Sequence, residues 1–305
     1  MHDLLIIGAG PAGLTAALYA GRFRLKTALL EKMTAGGQII LSATIENYPG
    51  FPGGISTLEL IGRFKKQVED LGIGIENKEV LEVRAVSQGG SLFYEVKTTD
   101  SLLQAKSIII ASGAEPKRLG VEGEERLTGR GVSYCGICDG PLFKNKDIVV
   151  VGGGDRALEE AVFLSGYAKK INLIHRRSAF RGSSIEEEKA RQNPKINFIL
   201  DTVVEEIKGE NKVEGVRIKK IKTGLSEELV SQGIFIFVGI RPNTGFLRNL
   251  LEIDDGGFII TDQEMQASLP GIFACGDCRR KSLWQVVNAC GDGATAAASV
   301  QRYLS

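Results

Sequence analysis

The sequence predicts an α/β protein built from two βαβ halves, and three observations carry that expectation. A glycine-rich turn, Gly8-Ala-Gly10-Pro-Ala-Gly13, follows a short apolar run at the N-terminus. A second turn, Gly152-Gly-Gly154-Asp-Arg-Ala157, follows another apolar run in mid-chain. After each turn come apolar residues at helical spacing and then a further apolar run. Strand, glycine turn, helix and strand make up the dinucleotide-binding unit, whose crossover is right-handed. The expected architecture is two Rossmann-like domains of the FAD/NAD(P)-binding type, the second inserted into the first. The expected boundaries are residues 1–114 with 246–305, and residues 115–245.

In chain order, residues 3–7 read as a strand and 12–23 as a helix. Residues 27–30 form the next strand, which ends at Glu31. Residues 36–54 are rich in Gly, Pro and Asn, so they predict a long loop over a ligand or partner. A helix over 58–71 and strands near 80–85, 93–98 and 107–111 lead to Ser112-Gly113-Ala114. Residues 115–130 turn charged and loop-like. The second unit then starts: a strand over 148–151, a helix over 157–165 and a strand over 171–175. Further strands are expected near 197–200, 213–220 and 234–238. Gly239-Ile-Arg-Pro-Asn243 is the return crossover. The tail carries Gly271-Ile-Phe-Ala-Cys-Gly276-Asp277 and ends in an Ala-rich helix over 292–303.

Bulk properties narrow the class. The chain has 305 residues, enough for two domains, with 43% hydrophobic and 25% charged residues. A net charge of +1 gives no field that would recruit nucleic acid or an anionic membrane. No apolar run reaches the roughly 18–20 residues needed to span a bilayer. The apolar N-terminus runs into a glycine turn rather than a cleavage site, and reads as a strand. Five cysteines, four of them in two CxxC pairs, fit redox use in a reducing cytoplasm better than a secreted disulfide framework.

In the first turn, Gly8 permits the tight bend, Gly10 lets backbone approach a pyrophosphate, and Gly13 allows close helix–strand packing. Glu31, at the end of the next strand, stands where an acid accepts from a ribose hydroxyl. The second turn repeats the logic, but its next strand ends in His175-Arg176-Arg177, with Arg181 following. Guanidinium groups there suit a 2′-phosphate, which predicts NADPH rather than NADH. The competing reading is a solvated basic patch. Arg156 is awkward at a helix N-terminus, which favours anions. It either meets a cofactor phosphate or points to solvent.

Cys135-Gly-Ile-Cys138-Asp139 lies just before the second turn. A CxxC pair can close a small reducible disulfide, and Asp139 is a candidate proton donor and acceptor for the departing thiolate. Two other readings stand: two inert thiols, or half of a tetrathiolate zinc site completed by Cys275 and Cys278. The stretch between the pairs is far longer than a zinc ribbon uses, and no metal is expected. Cys275, Cys278 and Cys290 are expected to be incidental, with a second redox pair or an oxidation sensor as the alternative. The only histidines are His2 and His175, so no further histidine triad or histidine-rich metal site is available.

Together these residues resemble the low-molecular-weight thioredoxin reductases over essentially the whole chain. Beyond the two turns, the resemblance rests on Gly36-Gly-Gln-Ile39, Glu46-Asn-Tyr-Pro-Gly50 and Cys135-x-x-Cys-Asp-Gly140. It rests also on Glu159-Glu-Ala161, His175-Arg-Arg-x-x-x-Arg181, Pro242-Asn243 and Gly276-Asp277. The resemblance implies a homodimer that binds FAD and NADPH and passes electrons from NADPH through flavin and the Cys135–Cys138 disulfide to thioredoxin. Cys138 would face the flavin, Cys135 would exchange with thioredoxin, and Asp139 would manage the proton. Gly8, Gly10, Pro11, Ala12, Gly13, Glu31, Lys32, Gly37, Gln38, Asn47, Ala111 and Gly113 match FAD positions. So do Gly276, Asp277, Gln285 and Val286. Gly153, Gly154, Asp155, Arg156, His175, Arg176, Arg177 and Arg181 match the NADPH site. Hinges near 113–117 and 239–244 are implied. The chain departs from the family's usual residues at Arg156, Cys275, Cys278 and Trp284. Trp284 removes a positive charge expected near the cofactors. A non-NADPH donor of the ferredoxin type, or another dithiol protein as acceptor, is the alternative function.

Overall fold

A computed structural model of the chain describes all residues except 42, 43, 46, 183 and 248, and omits the side chains of 41, 44, 137 and 138. The described helices are α1 (Pro11–Arg22), α2 (Thr57–Glu69), α3 (Glu124–Leu127), α4 (Gly136–Asp139), α5 (Asp155–Leu164), α6 (Ser184–Gln192) and α7 (Val286–Leu304). The chain divides into two compact units, Met1–Glu115 with Arg241–Ser305, and Pro116–Ile240. The second unit is therefore inserted into the first, as expected. Its return falls slightly earlier than residue 246. Asn243 already belongs to the first unit: its amide donates to the Gly113 carbonyl (3.0 Å) and its side chain to the Ser112 carbonyl (3.1 Å).

In the first unit, His2–Ile7 pairs in parallel with Thr27–Glu31 on one side and Leu102–Ile110 on the other. Ile75–Asn77 extends one edge, while Ile272–Ala274 joins Leu102–Ile110 in parallel. The antiparallel strands Val80–Gln88 and Ser91–Thr98 complete seven strands. The central strands are nearly all Leu and Ile because both faces are covered. Leu4, Ile6, Leu29 and Ile109 bury one face with α1 and α7, and Leu5, Ile108 and Ile110 bury the other. Helices α1 and α7 touch closely: a Cβ on Gly293 would stand 2.2 Å from the Ala12 carbonyl oxygen.

The second unit holds a parallel sheet in the order Val132–Ser133, Gly233–Phe237, Asp147–Gly152, Lys170–Ile174, Ile196–Ile199. A three-stranded antiparallel sheet, Thr202–Lys208, Gly215–Lys220 and Ser226–Val230, packs through Val204, Ile207, Val216 and Ile218.

Several elements differ from expectation, the strand Thr202–Lys208 among them, and three show why. Helix α6, SIEEEKARQ, has only one buried residue, Ala190, so no apolar stripe announces it. Its exposed face carries the ion pairs Lys189–Glu186 and Arg191–Glu187. Ser226–Val230 is almost wholly exposed and lacks the alternation that betrays a strand. Helix α7 begins at Val286 rather than 292. Gly291 and Gly293 obscure its first turns in the sequence. In space Gly293 is the residue that lets α7 approach α1.

Candidate active site

The first glycine turn forms as expected. Gly8 has φ +104°, and a Cβ there would stand 2.4 Å from the Ala111 carbonyl oxygen. A Cβ on Gly13 would stand 1.8 Å from the Gly8 carbonyl oxygen. Gly10 caps α1 with no side-chain hydrogen bond, and Pro11 follows it, so the first amides of the helix remain available to an anion. The Gly36 amide donates to the Ala9 carbonyl (2.8 Å), which brings the Gly37 backbone opposite Gly10: a Cβ on Gly37 would meet the Gly10 Cα at 3.3 Å. The two glycine backbones approach each other closely, so backbone rather than side chains forms this part of the turn.

Glu31 accepts from the Ala9 amide (2.8 Å) and the Met33 amide (3.0 Å). A carboxylate has about four acceptor positions, so capacity for a ribose hydroxyl remains. Lys32 and Gln38 are exposed. Asn47 and Gln285, distant in sequence, come together, with Asn47 Nδ2 donating to Gln285 Oε1 (2.9 Å). Gly276 has φ +74°, and a Cβ there would press on Ala12 at 2.8 Å. Val286 is the first residue of α7 and is buried. Glu46 lies outside the described residues.

Behind Gly276 sits a buried charge cluster that sequence reasoning missed. Asp292 accepts from the Gly276 amide (3.2 Å). Lys281, 4% exposed, lies 2.9 Å from Asp277 Oδ1 and 3.6 Å from Asp292 Oδ2. Arg279 lies 3.8 Å from Asp292. The Lys281–Asp277 pair is close enough for an ion pair, yet neither atom has hydrogen-bond geometry. Distance governs the attraction, so the ion pair stands, and both atoms keep unused hydrogen-bonding capacity. With the helix expected to start at 292, Asp292 looked like an ordinary acid at a helix N-terminus and gave no signal. The glycine turn, the Asn47–Gln285 contact and the spare hydrogen-bonding capacity of Asp277 could together hold the polar part of a dinucleotide.

Cys275 and Cys278 are free and fully buried. Burial pushes the Cys275 thiol well up and the Cys278 thiol up to about 11. Thiols held protonated are poor nucleophiles, which favours the incidental reading. Cys290 is a free thiol, also raised by burial. Trp284 is 40% exposed, with its ring 6.0 Å from Phe258.

In the second unit, Gly154 caps α5 without a side-chain bond, and nothing crowds a Cβ built there. Asp155 follows in the first helical turn. Arg156 is exposed but has partners in its own unit. It lies 5.4 Å over the Phe237 ring and donates to the Tyr134 carbonyl (3.3 Å). Arg176, Arg177 and Arg181 are exposed. None of the three guanidiniums is paired among the described residues, and the Arg181 amide is tied to the Gly153 carbonyl (2.7 Å). Three unpaired guanidiniums beside an open glycine turn fit a phosphorylated dinucleotide.

His175 is buried. Its ring stacks on Phe180 at 5.3 Å and fills the space where a Gly153 Cβ would go, 2.1 Å from the ring. Burial lowers its pKa most, with Arg181, Arg176 and Arg177 adding to the effect against a backbone hydrogen bond to the Ala179 carbonyl. As pH falls through about 6.5 the unfolded chain takes the proton first, so stability drops. His175→Gln is expected to flatten the decline of melting temperature between about pH 6.5 and 5.5. An unchanged slope would show that His175 does not report there.

Cys135 is disulfide-bonded. The Ser133 hydroxyl accepts from the Cys135 amide (3.1 Å), and the Asp139 amide donates to the Cys135 carbonyl (3.3 Å), closing α4. Asp139 stands one turn after Cys135 on α4 and is partly buried. The side chain of Cys138 lies outside the described residues. Glu160 of α5 was not singled out by the sequence. Its Oε2 would stand 2.0 Å from a Cβ on Gly136. The only signal was its place in the Glu159-Glu-Ala161 run.

Two glycine turns, each opening an uncapped helix, and a disulfide beside the second define a two-dinucleotide disulfide oxidoreductase. The chain belongs to the pyridine nucleotide-disulphide oxidoreductase family, whose family model matches residues 2–293. Within that family it is similar to the low-molecular-weight thioredoxin reductases. It is 45% identical to a thioredoxin reductase of Helicobacter pylori (strain J99), covering 100% of this chain and 99% of that one. It is 43% identical to one from Listeria monocytogenes, covering 100% and 94%. The crystal structure of Lactococcus lactis thioredoxin reductase superposes with a TM-score of 0.87 at 42% identity, covering 100% and 99%.

Proposed function

We propose that this chain is an FAD-containing, NADPH-dependent thioredoxin-disulfide reductase, acting as a cytoplasmic homodimer. The observation that carries the reading is the disulfide at Cys135, which lies in the same unit as a glycine turn and three unpaired arginines. Bound FAD would relay the two electrons of a nicotinamide hydride to that disulfide.

The chain's own residues have distinct tasks. Gly8, Gly10, Gly13 and Gly37 shape the flavin pyrophosphate slot. Glu31, Asn47, Asp277 and Gln285 orient the flavin's polar groups, and the helix starting at Val286 points its first amides toward it. Gly153 and Gly154 give the nicotinamide dinucleotide its phosphate turn. Arg176, Arg177 and Arg181 bind the 2′-phosphate. Cys138 pairs with Cys135, and Asp139 holds and releases the thiol proton. Cys135 then attacks the disulfide of thioredoxin, forming a mixed disulfide that Cys138 resolves.

An anaerobic titration of the flavin absorbance tests the donor. NADPH is expected to bleach it at a concentration about 100-fold lower than NADH, the gain from charge-assisted pairs to a phosphate. Replacing Arg176, Arg177 and Arg181 with Ala is expected to erase that preference. Equal bleaching by both nucleotides overturns the arginine reading. No bleaching by either shifts the reading to a ferredoxin-type donor, with Trp284 marking the changed site. A bleached flavin that never passes electrons to a dithiol protein indicates a redox sensor without turnover.

A further inference from the structure

The second unit holds a buried carboxyl that the relay does not use. Glu160 projects from α5 against α4, the short helix that carries the redox turn. Its Oε2 is inaccessible to water and, among the described residues, meets no donor in full hydrogen-bond geometry, the Gly136 amide lying only loosely against the carboxyl. That oxygen fills the space a Gly136 side chain would take, 2.0 Å from an ideal Cβ. Gly136 directly follows Cys135. A side chain at 136 would have to displace the carboxyl, the mobile end of Glu160.

The charges facing Glu160 do not neutralise it. Burial has the largest effect and raises its pKa. Arg156 opposes this, Glu159 adds to it, and the Gly136 amide opposes it weakly. Arg156 is drawn aside toward the Phe237 ring and the Tyr134 carbonyl. The other ionisable side chains of this turn among the described residues are Asp139 on α4 and Cys135 just before it. Cleaving the disulfide takes two electrons from the flavin and two protons, breaks the S–S bond and yields two thiols. Any thiolate formed at Cys135 then lies one residue from the point where Glu160 meets the backbone.

We propose that Glu160 is a positioning residue of the redox turn, which braces Gly136 and whose charge state is coupled to that of the Cys135 sulfur. It rests on Cys135 being a redox disulfide, as proposed above. An ionised Glu160 disfavours the thiolate, and a thiolate keeps Glu160 protonated. The turn therefore exposes its strongest nucleophile while the carboxyl is neutral.

The test is the pH profile of Cys135 alkylation in the flavin-loaded protein. Protein reduced with dithiothreitol is freed of reductant, treated with iodoacetamide from pH 5.5 to 9.5, and read by mass spectrometry at Cys135. The wild type is expected to show two coupled ionisations. Glu160→Gln, of equal size, is expected to collapse them to one and to speed alkylation about tenfold at mildly alkaline pH, the effect of about one unit of coupling. Glu160→Asp is expected to restore the two-step form. Gly136→Ala displaces the carboxyl and is expected to give the Glu160→Gln profile. Superimposable wild-type and Glu160→Gln profiles overturn the proposal, as does a two-step profile in Gly136→Ala. Chemical reduction keeps this outcome separate from the electron route. If NADPH fails to expose Cys135 in the wild type while the coupled profile persists, the donor assignment falls and the role of Glu160 stands.

Discussion

Serine in place of Cys138 is expected to abolish reduction of thioredoxin, a loss of about 1,000-fold or more, while NADPH still bleaches the flavin. The asymmetry follows from where the electrons stop. Nicotinamide-to-flavin transfer uses the glycine turns and the arginines, and no sulfur. The next transfer needs a disulfide to accept two electrons, and one cysteine cannot form it. Cys135 alone could still attack thioredoxin, but no second thiol would resolve the mixed disulfide. Cys275 and Cys278 cannot substitute, because both are buried with raised pKa values. Stopped-flow flavin absorbance and an insulin-precipitation assay with thioredoxin separate the two half-reactions. Robust thioredoxin reduction by Cys138→Ser would sink the dithiol relay.

Gly13→Ala is expected to empty the flavin site. Its Cβ would stand 1.8 Å from the Gly8 carbonyl oxygen and 2.9 Å from the Gly8 carbonyl carbon. Both are backbone atoms of the phosphate turn, so no side-chain rotation relieves the clash. Overpacking of this kind costs about 1–3 kcal/mol, and a turn with fixed dihedrals sits at the upper end. The melting temperature should fall by several degrees, on the scale of about 2–4 °C per kcal/mol. The ratio of flavin to protein absorbance should drop to near zero. Gly10→Ala is the control. Its Cβ meets only the Gly37 Cα, at 3.9 Å, so the protein without flavin should melt unchanged and only flavin affinity should fall. A Gly13→Ala protein that keeps a full complement of flavin and its melting temperature would refute the packing argument.

Much of the site is legible in the sequence because it is made of backbone. The positive φ at Gly8 and Gly276 and the close approach at Gly13 are met best by glycine, so the motif and the geometry are one statement. Glu31 is legible from its position at a strand end, although two backbone amides share its carboxylate. Other features were not legible. The contact between Asn47 and Gln285 joins opposite ends of the chain. Lys281 and Asp292 carry no motif, and only folding buries their side chains together. Arg156 looked misplaced at a helix N-terminus until Phe237 and the Tyr134 carbonyl supplied its partners. Helix α6 and the strand Ser226–Val230 were missed because neither has the apolar periodicity of a buried face.

The sequence by itself determined the two βαβ units, the insertion of one into the other, the glycine turns and the closely spaced cysteine pair. Each depends on local stereochemistry: strand periodicity, glycine dihedrals and short spacing. Tertiary structure alone decided which polar groups lose water. It buried the Lys281–Asp292 pair and raised the Cys275 and Cys278 thiols. It also set the Glu160 carboxyl against Gly136, where burial outweighs the opposing effect of Arg156. Burial is a property of the whole packed unit, and residues far apart in the chain create it jointly, so no local pattern announces it.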